Sequence, residues 1–122
     1  MKDGRRRLGA FGERLAAVHL GAKGYRIRAR NYRCREGEID IVAQDGGTLV
    51  FVEVRTRRGD ALGGPAESVT ARKEARLVAA ATAYVQTLPQ APADQRIDVV
   101  AVQLSPGGRL LAIEHIEGAI GG

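Results

Sequence analysis

The chain has 122 residues, 44% of them hydrophobic, and 19 lysines and arginines against 14 acidic residues give it a net charge of +5. This length predicts one domain, residues 1–122, that buries enough apolar surface to fold without a disulfide or a structural metal. A single cysteine, Cys34, excludes an intrachain disulfide and a thiolate zinc cluster, and it points to a reducing, cytoplasmic location. No apolar run approaches the roughly 20 residues of a membrane span, so we expect no membrane association.

The charges are unevenly distributed along the chain. Residues 1–35 carry eleven basic and two acidic side chains, residues 36–53 carry five acidic and no basic ones, and residues 54–76 are basic again. This pattern fits a protein that attracts a polyanion while it holds a cation at its centre. Composition alone favours the simpler interpretation, which is chance clustering on a solvated surface.

A helix is predicted over residues 6–23, because apolar residues recur there at steps of three and four. They form one stripe, which consists of Leu8, Phe11, Leu15, Val18 and Ala22. Gly24 follows as a natural stop. On about the opposite side a strip of small residues, Gly9, Gly12 and Ala16, leaves room for another backbone to approach closely, and Glu13 lies at its edge.

Three strands follow the helix. From Tyr25 to Arg30 apolar and basic residues alternate, which predicts a strand with one apolar and one basic face, followed by a polar connection over residues 31–37. Residues 38–44 and 49–56 form two further predicted strands. The sequence Asp45-Gly46-Gly47-Thr48 between them is a strong hairpin signal. A glycine-rich loop is expected over residues 57–67.

The remaining elements complete an αβββαββ order. A second helix begins at Ser68 or Thr70, runs to residue 87, and carries a stripe of Leu77, Ala81, Tyr84 and Leu88. Residues 97–104 are almost continuously apolar, which suits a strand buried on both faces, and residues 109–116 form a last strand at an edge. We therefore predict an α/β fold with a mixed central sheet and a helix on each face.

The hairpin predicts an unusual pair of acids. If Gly46 and Gly47 form the turn, the register that pairs Asp45 with Thr48 also places Asp40 opposite Glu53. Like charges opposed across two strands are destabilising, so something should compensate them. A shared proton or a divalent cation would do so, and Mg²⁺ commonly uses one or two carboxylates. The alternative, about equally supported, is an ordinary salt-bridge cluster with Arg55 and other arginines.

A family resemblance bears on this choice. The segment Gly37-Glu38-Ile39-Asp40, followed after twelve residues by Glu53-Val54-Arg55, resembles the PD-(D/E)xK signature of restriction-endonuclease-like nucleases. The αβββαβ order is also the core of that superfamily. Asn31-Tyr32-Arg33, together with residues 37–43 and 50–57, resembles the YraN family of bacterial proteins over nearly the whole chain.

The resemblance implies an endonuclease that uses Mg²⁺ or Mn²⁺ and acts on DNA, including branched DNA such as Holliday junctions. Asp40 and Glu53 would be metal ligands, with the Val54 carbonyl as a third. Glu13 matches an additional acid of archaeal Holliday junction resolvases and would position the metal or bind it through water. Arg55 occupies the position of the catalytic lysine, where it would stabilise charge on the phosphate. Because junction resolvases cut two strands, a homodimer is also implied.

Arg55 supports a second hypothesis. A guanidinium keeps its protons and cannot act as a base, so the chain would also fit a non-catalytic nucleic-acid-binding or scaffold protein that retains the nuclease fold. A third hypothesis is a protein-binding adaptor with no affinity for nucleic acid. His19 and His115 stand alone in the sequence, and we predict no zinc site.

Several basic residues are candidates for phosphate contacts. Sparse aromatic residues favour a duplex or branched backbone over stacked single-stranded bases. Lys73 would also supply the ammonium that the motif lacks, although a solvated lysine explains it more simply. The predicted nucleic-acid contacts are Arg28, Arg30, Arg33, Arg57, Arg58, Arg72, Lys73 and Arg76.

Overall fold

The structure, a computed structural model, describes residues 2–59 and 71–120. Its elements follow the predicted αβββαββ order: α1 (Lys2–Ala22), β1 (Arg26–Cys34), β2 (Gly37–Asp45), β3 (Thr48–Arg58), α2 (Ala71–Gln86), β4 (Asp94–Leu104) and β5 (Leu110–Ile120). The predicted α/β fold is therefore confirmed. The candidate helix caps Ser68 and Thr70 and most of the predicted glycine-rich loop lie outside the described residues. Within the described ranges, no helix has the length and apolar character needed to cross a bilayer.

One five-stranded mixed sheet organises the described residues. Its strands lie in the order β1-β2-β3-β4-β5, and β3 and β4 are the parallel pair. Parallel neighbours need a crossover connection, which α2 supplies. The other neighbouring pairs are antiparallel. β5 lies at an edge, as the sequence predicts.

A core covers each face of the sheet. On one face α2 buries Leu77, Ala81 and Tyr84 against Phe51 and other strand residues. On the opposite face α1 buries Ala16 and Leu20 against β2, β3 and β4. The central strands are apolar on both faces for this reason.

The contact face of α1 differs from the predicted stripe. Val18 is 72% exposed, whereas Ala16 and Leu20 are fully buried. The helix packs through its small residues because they allow its backbone to approach β3 closely. A Cβ atom at Gly12 would overlap with Thr56 Oγ1. Leu8, Phe11 and Leu15 of the predicted stripe pack against this core, whereas Val18 and Ala22 are exposed. The contact face is therefore centred beside the predicted stripe, on Gly12, Ala16 and Leu20, because hydrophobic periodicity gives no signal at a glycine.

β1 is longer than predicted and irregular. The expected connection over residues 31–37 is mostly strand, and only Arg35 and Glu36 form the turn into β2. A register shift lies between Ile27 and Ala29, and Asn31 has a φ of 53°. Ile27 therefore packs on the α1 side while Ala29 packs on the α2 side. The predicted single basic face of this strand is wrong, because the two irregularities change the alternation.

A buried polar cluster joins β4 to β5. Asp98 is fully buried and accepts hydrogen bonds from Arg96 Nε at 3.0 Å and from the Gly118 N–H at 2.9 Å. Its Oδ2 atom lies 2.7 Å from Nε2 of His115, whose Nδ1 lies 2.6 Å from Lys23 Nζ. His115 therefore has a structural role, because the fully buried Asp98 carboxylate needs hydrogen-bonding partners and His115 is one of them.

Close packing at Gly12 gives a test of the α1 interface. We expect Gly12→Ala to lower the free energy of unfolding by roughly 1–3 kcal/mol, because the added methyl group must displace Thr56. Gly9→Ala is the matched control on the same helix, since nothing lies within 4 Å of the position that its methyl group would take. It should stabilise by about 0.5–1 kcal/mol through helix propensity. Urea denaturation of both variants measures the difference, and equal effects would contradict the packing described.

Candidate metal centre

The predicted acids lie where β2 and β3 separate. The two strands pair from Asp45 with Thr48 to Ile41 with Val52, which confirms the predicted register. The ladder ends there, one pair short of the predicted pairing of Asp40 with Glu53. Asp40 Oδ2 instead accepts a hydrogen bond from the Val54 N–H at 2.8 Å. The Asp40 carboxylate thus takes the place of a backbone acceptor where the two strands separate beyond Ile41 and Val52, a point that we call the fork.

An open cleft of about 260 Å³ lies at this fork. β2 and β3 contribute acidic side chains to its lining, and the first turns of α2 contribute basic ones. The lining residues are Glu38, Asp40, Glu53, Lys73, Arg76 and Leu77. Asp40, Glu53 and Lys73, which lie on three different elements, are therefore brought together.

Glu13 approaches Asp40 from α1. The negative charge of Glu13 is among the groups that raise the pKa of Asp40, and Arg30 and Arg33 oppose the effect of burial on the Glu13 carboxyl by lowering its pKa. The Glu13 Oε1 atom is buried and has no hydrogen-bond partner among the described residues. A buried oxygen without a partner is costly, and a ligand or a bound water would satisfy it.

Burial is the main reason that the pKa of Asp40 is raised to about 7. Repulsion from Glu13, Glu53 and Glu38 adds to it, and the Val54 hydrogen bond acts in the opposite direction. Burial likewise raises the pKa of Glu13. The cluster therefore disfavours its own negative charge, which a cation would relieve.

Arg55 compensates one of the acids. Its Nη2 atom lies 2.9 Å from Glu53 Oε2, and the two side chains are 10% and 24% exposed. Glu53 thus forms a salt bridge with Arg55, as the alternative interpretation of the acidic pair predicts. Asp40 is held differently, by the backbone of Val54.

The donor set fits a hard cation. Carboxylates and backbone carbonyls are oxygen donors, which Mg²⁺ and Mn²⁺ prefer. Among the described residues, no three His, Cys, Asp or Glu side chains converge closely enough to hold a metal by themselves. A Mg²⁺ site would need only one or two carboxylates, because waters and substrate phosphate complete the octahedron. The unpartnered oxygen of Glu13 suits a contact through such a water.

Basic residues predicted to bind nucleic acid fall into separate places. Lys73 and Arg76 line the cleft, and Arg30 and Arg33 lie near Glu13. Arg33 also pairs with Glu38 at 3.3 Å. Arg28 lies elsewhere, because it donates to Gln44 Oε1 in a second pocket near the end of α2.

The other predicted basic contacts lie around the cleft or beyond it. Arg57 and Arg58 form the end of β3, where Arg58 Nε donates to the Pro106 carbonyl at 2.8 Å. Arg72 is exposed in the first turn of α2. The predicted basic contacts therefore do not all line the cleft.

Comparison with known proteins identifies the family. The model of the uncharacterised protein family UPF0102 matches residues 12–102. The chain belongs to the UPF0102 family. The matched range contains all of the candidate centre from Glu13 to Arg76, and membership confirms the resemblance to the YraN family.

Relatives of this UPF0102 protein match it over most of their length. A UPF0102 protein of Symbiobacterium thermophilum is 56% identical over 105 residues, which cover 86% of this chain and 89% of the relative. A UPF0102 protein of Roseiflexus castenholzii is 49% identical over 122 residues, with 98% of each chain covered. A third, from Frankia alni, is 48% identical over 112 residues and covers 92% of each.

Two features of this UPF0102 structure were not predicted. Asn31 lies beside Glu13 in the middle of β1, whereas the sequence placed it in a connection. The cluster around Asp98 combines residues from separate elements, and no local pattern marks it. The only sequence signal for the left-handed conformation at position 31 is the residue type, because asparagine adopts that conformation more readily than most other residues.

The pKa of Asp40 predicts how stability depends on pH. Its folded-state value of about 7 lies above the ordinary 3.8, so the protonated form is favoured by folding. That stabilisation is fully present below about pH 4 and is lost as the pH rises through 7. We expect Asp40→Asn, which can still accept from Val54, to be more stable than the wild type by roughly 2–4 kcal/mol at pH 8 without metal.

Urea denaturation in the presence of a chelator measures this difference. It should shrink towards zero below about pH 4, where Asp40 is protonated in both states. Asp94→Asn, the same change at an exposed carboxylate, is the control and should show little pH-dependent gain. A variant Asp40→Asn that is less stable than the wild type at pH 8 would contradict the electrostatic account.

Proposed function

We propose that this protein is an endonuclease that uses Mg²⁺ or Mn²⁺ to hydrolyse phosphodiester bonds in duplex or branched DNA. The observation that carries the proposal is the pair of carboxylates, Asp40 and Glu53, that lines the cleft at the fork. Burial and the nearby charge of Glu13 help to raise the pKa of Asp40 to about 7. Such an arrangement disfavours its own charge, and perturbed carboxylates in a cleft are typical of functional sites. The resemblance to PD-(D/E)xK nucleases supports the same chemistry.

Asp40 and Glu53 would hold the metal, with the Val54 carbonyl as a third ligand and Glu13 acting through water. When bound, the ion supplies Lewis-acid polarisation of a phosphoryl oxygen and lowers the pKa of water. The Val54 N–H fixes Asp40 at the fork, since it donates to Oδ2 at 2.8 Å. Arg55 fixes Glu53 in the same way through its ion pair.

The cations of the cleft complete the proposed chemistry. Hydrolysis adds water across a P–O bond, so positive charge near the phosphate favours the transition state. Lys73 and Arg76 line the cleft beside the acids, where they would hold that phosphate. Arg55 carries charge but cannot accept the proton of the attacking water. Lys73 is therefore our candidate for the ammonium that the motif lacks.

The ion pair of Arg55 also favours a second candidate function. Glu53 Oε2 is engaged by Arg55 at 2.9 Å, and this contact competes with a metal for that oxygen. If Arg55 stays paired with Glu53, the protein would bind nucleic acid or act as a scaffold without cleaving DNA. This function predicts DNA binding that weakens with salt in the absence of cleavage.

DNA cleavage tests the proposed function. We expect linear duplex or four-way junction DNA to be cut in the presence of Mg²⁺ or Mn²⁺. Asp40→Asn and Glu53→Gln should each lower the rate at least about 100-fold, because each removes a metal ligand. Glu114→Gln, a change at an exposed acid on β5, is the matched control and should retain the rate. Cleavage that survives both site substitutions would refute the assignment.

Arg55→Lys separates the two candidate functions. If the wild type binds DNA without cutting it and the lysine variant cuts, the nuclease site is intact and Arg55 blocks turnover. If neither protein cuts and neither binds divalent metal, the non-catalytic function holds. Absence of DNA binding even at low salt would favour the protein-binding adaptor instead.

A further inference from the structure

Asn31 has an unusual backbone conformation for a residue inside a strand. Its φ is 53°, and it is the only non-glycine residue with a positive φ in the described ranges. This region is costly for most side chains, whereas asparagine tolerates it. Residues held in such conformations cluster at functional sites.

The register of β1 and β2 places Asn31 opposite Asp40. β1 and β2 pair Arg30 with Ile41 and Tyr32 with Ile39, so Asn31 and Asp40 lie between these pairs and outside the ladder. Both strands are therefore interrupted at the same level of the sheet, and the interruption in β2 is the point where Asp40 turns to the Val54 N–H.

The interruption in β1 also orients its neighbours. Ala29 and Tyr32, three positions apart, both pack on the α2 side, and Tyr32 contacts the Tyr84 ring edge-on at 5.1 Å. Regular alternation would place residues three apart on opposite faces. With Tyr32 anchored in this way, Arg30 and Arg33 are both close enough to act on Glu13.

Burial raises the pKa of the Glu13 carboxyl, and the neighbouring Asn31 amide is among the groups that lower it. Glu13 stands on α1, and its Oε1 atom is buried without a partner among the described residues. An amide in this position would restrain a carboxylate that otherwise has several rotamers. The two side chains lie on β1 and α1, and both act at the level of Asp40.

We propose that Asn31 is a positioning residue, whose amide holds Glu13 towards the metal bound by Asp40 and Glu53. This inference rests on the proposed function, because it requires a cation at the candidate centre. Groups that orient a metal ligand commonly change metal affinity 10–100-fold when they are removed. The alternative is a backbone role alone, in which residue 31 matters only because it adopts a positive φ.

Asn31→Gly separates the amide from the backbone. Glycine adopts a positive φ without strain, so the variant keeps the conformation and loses only the side chain. Calorimetric titration of the full chain with Mn²⁺ is the measurement, and urea denaturation shows that the variant is folded. We expect Mn²⁺ binding to weaken roughly 10–100-fold in this variant.

A double-mutant cycle with Glu13→Gln shows whether Asn31 acts through Glu13. If it does, the double variant binds Mn²⁺ no more weakly than Glu13→Gln alone, because without the Glu13 carboxylate the Asn31 amide has nothing to position. Additive losses, or an Asn31→Gly variant with wild-type affinity, would overturn the positioning role while leaving the proposed function standing. A wild-type chain that does not bind Mn²⁺ would instead remove the proposed function and this inference with it.

Discussion

Burial of the Asp40 carboxyl beside other carboxylates is the constraint on which the candidate site depends. Burial together with the charges of Glu13, Glu53 and Glu38 raises the pKa of Asp40 to about 7. A sheet built only for stability would continue its ladder at this point with apolar pairs. Instead β2 and β3 separate after Ile41 and Val52, and the Asp40 carboxylate bonds to a backbone N–H. This arrangement costs stability at neutral pH, and a bound cation would offset that cost.

The rest of the fold brings charged groups to that place. Gly12 allows α1 to approach Thr56 closely, and the same helix carries Glu13 to the fork. The crossover through α2, which the parallel pairing of β3 and β4 requires, brings Lys73 and Arg76 to the cleft. Away from the cleft, the Asp98 cluster fixes β5 to β4. Acidic and basic groups from separate elements thus meet at one end of the sheet.

The sequence predicted what depends on local rules. The Asp45 to Thr48 turn specifies the hairpin register, and this was enough to bring Asp40 and Glu53 together. The contact face of α1 was predicted only in part, because glycine carries no hydrophobic signal although the space at Gly12 determines how the helix packs. The left-handed conformation of Asn31 was missed because a single asparagine is weak evidence for such a residue inside a strand. No residue pattern predicted that the ladder would end one pair before the acids.

The most direct test is a crystal soaked in Mn²⁺, with anomalous scattering used to locate the ion. The account predicts a peak between Asp40 and Glu53, close to the Val54 carbonyl, and its loss in Asp40→Asn crystals. Binding there requires Glu53 to contribute an oxygen in spite of its 2.9 Å contact with Arg55. Crystals at saturating Mn²⁺ with no peak at the fork, and with Arg55 still paired to Glu53, would contradict the account. The acidic cluster would then be an arginine-neutralised surface and not a metal centre.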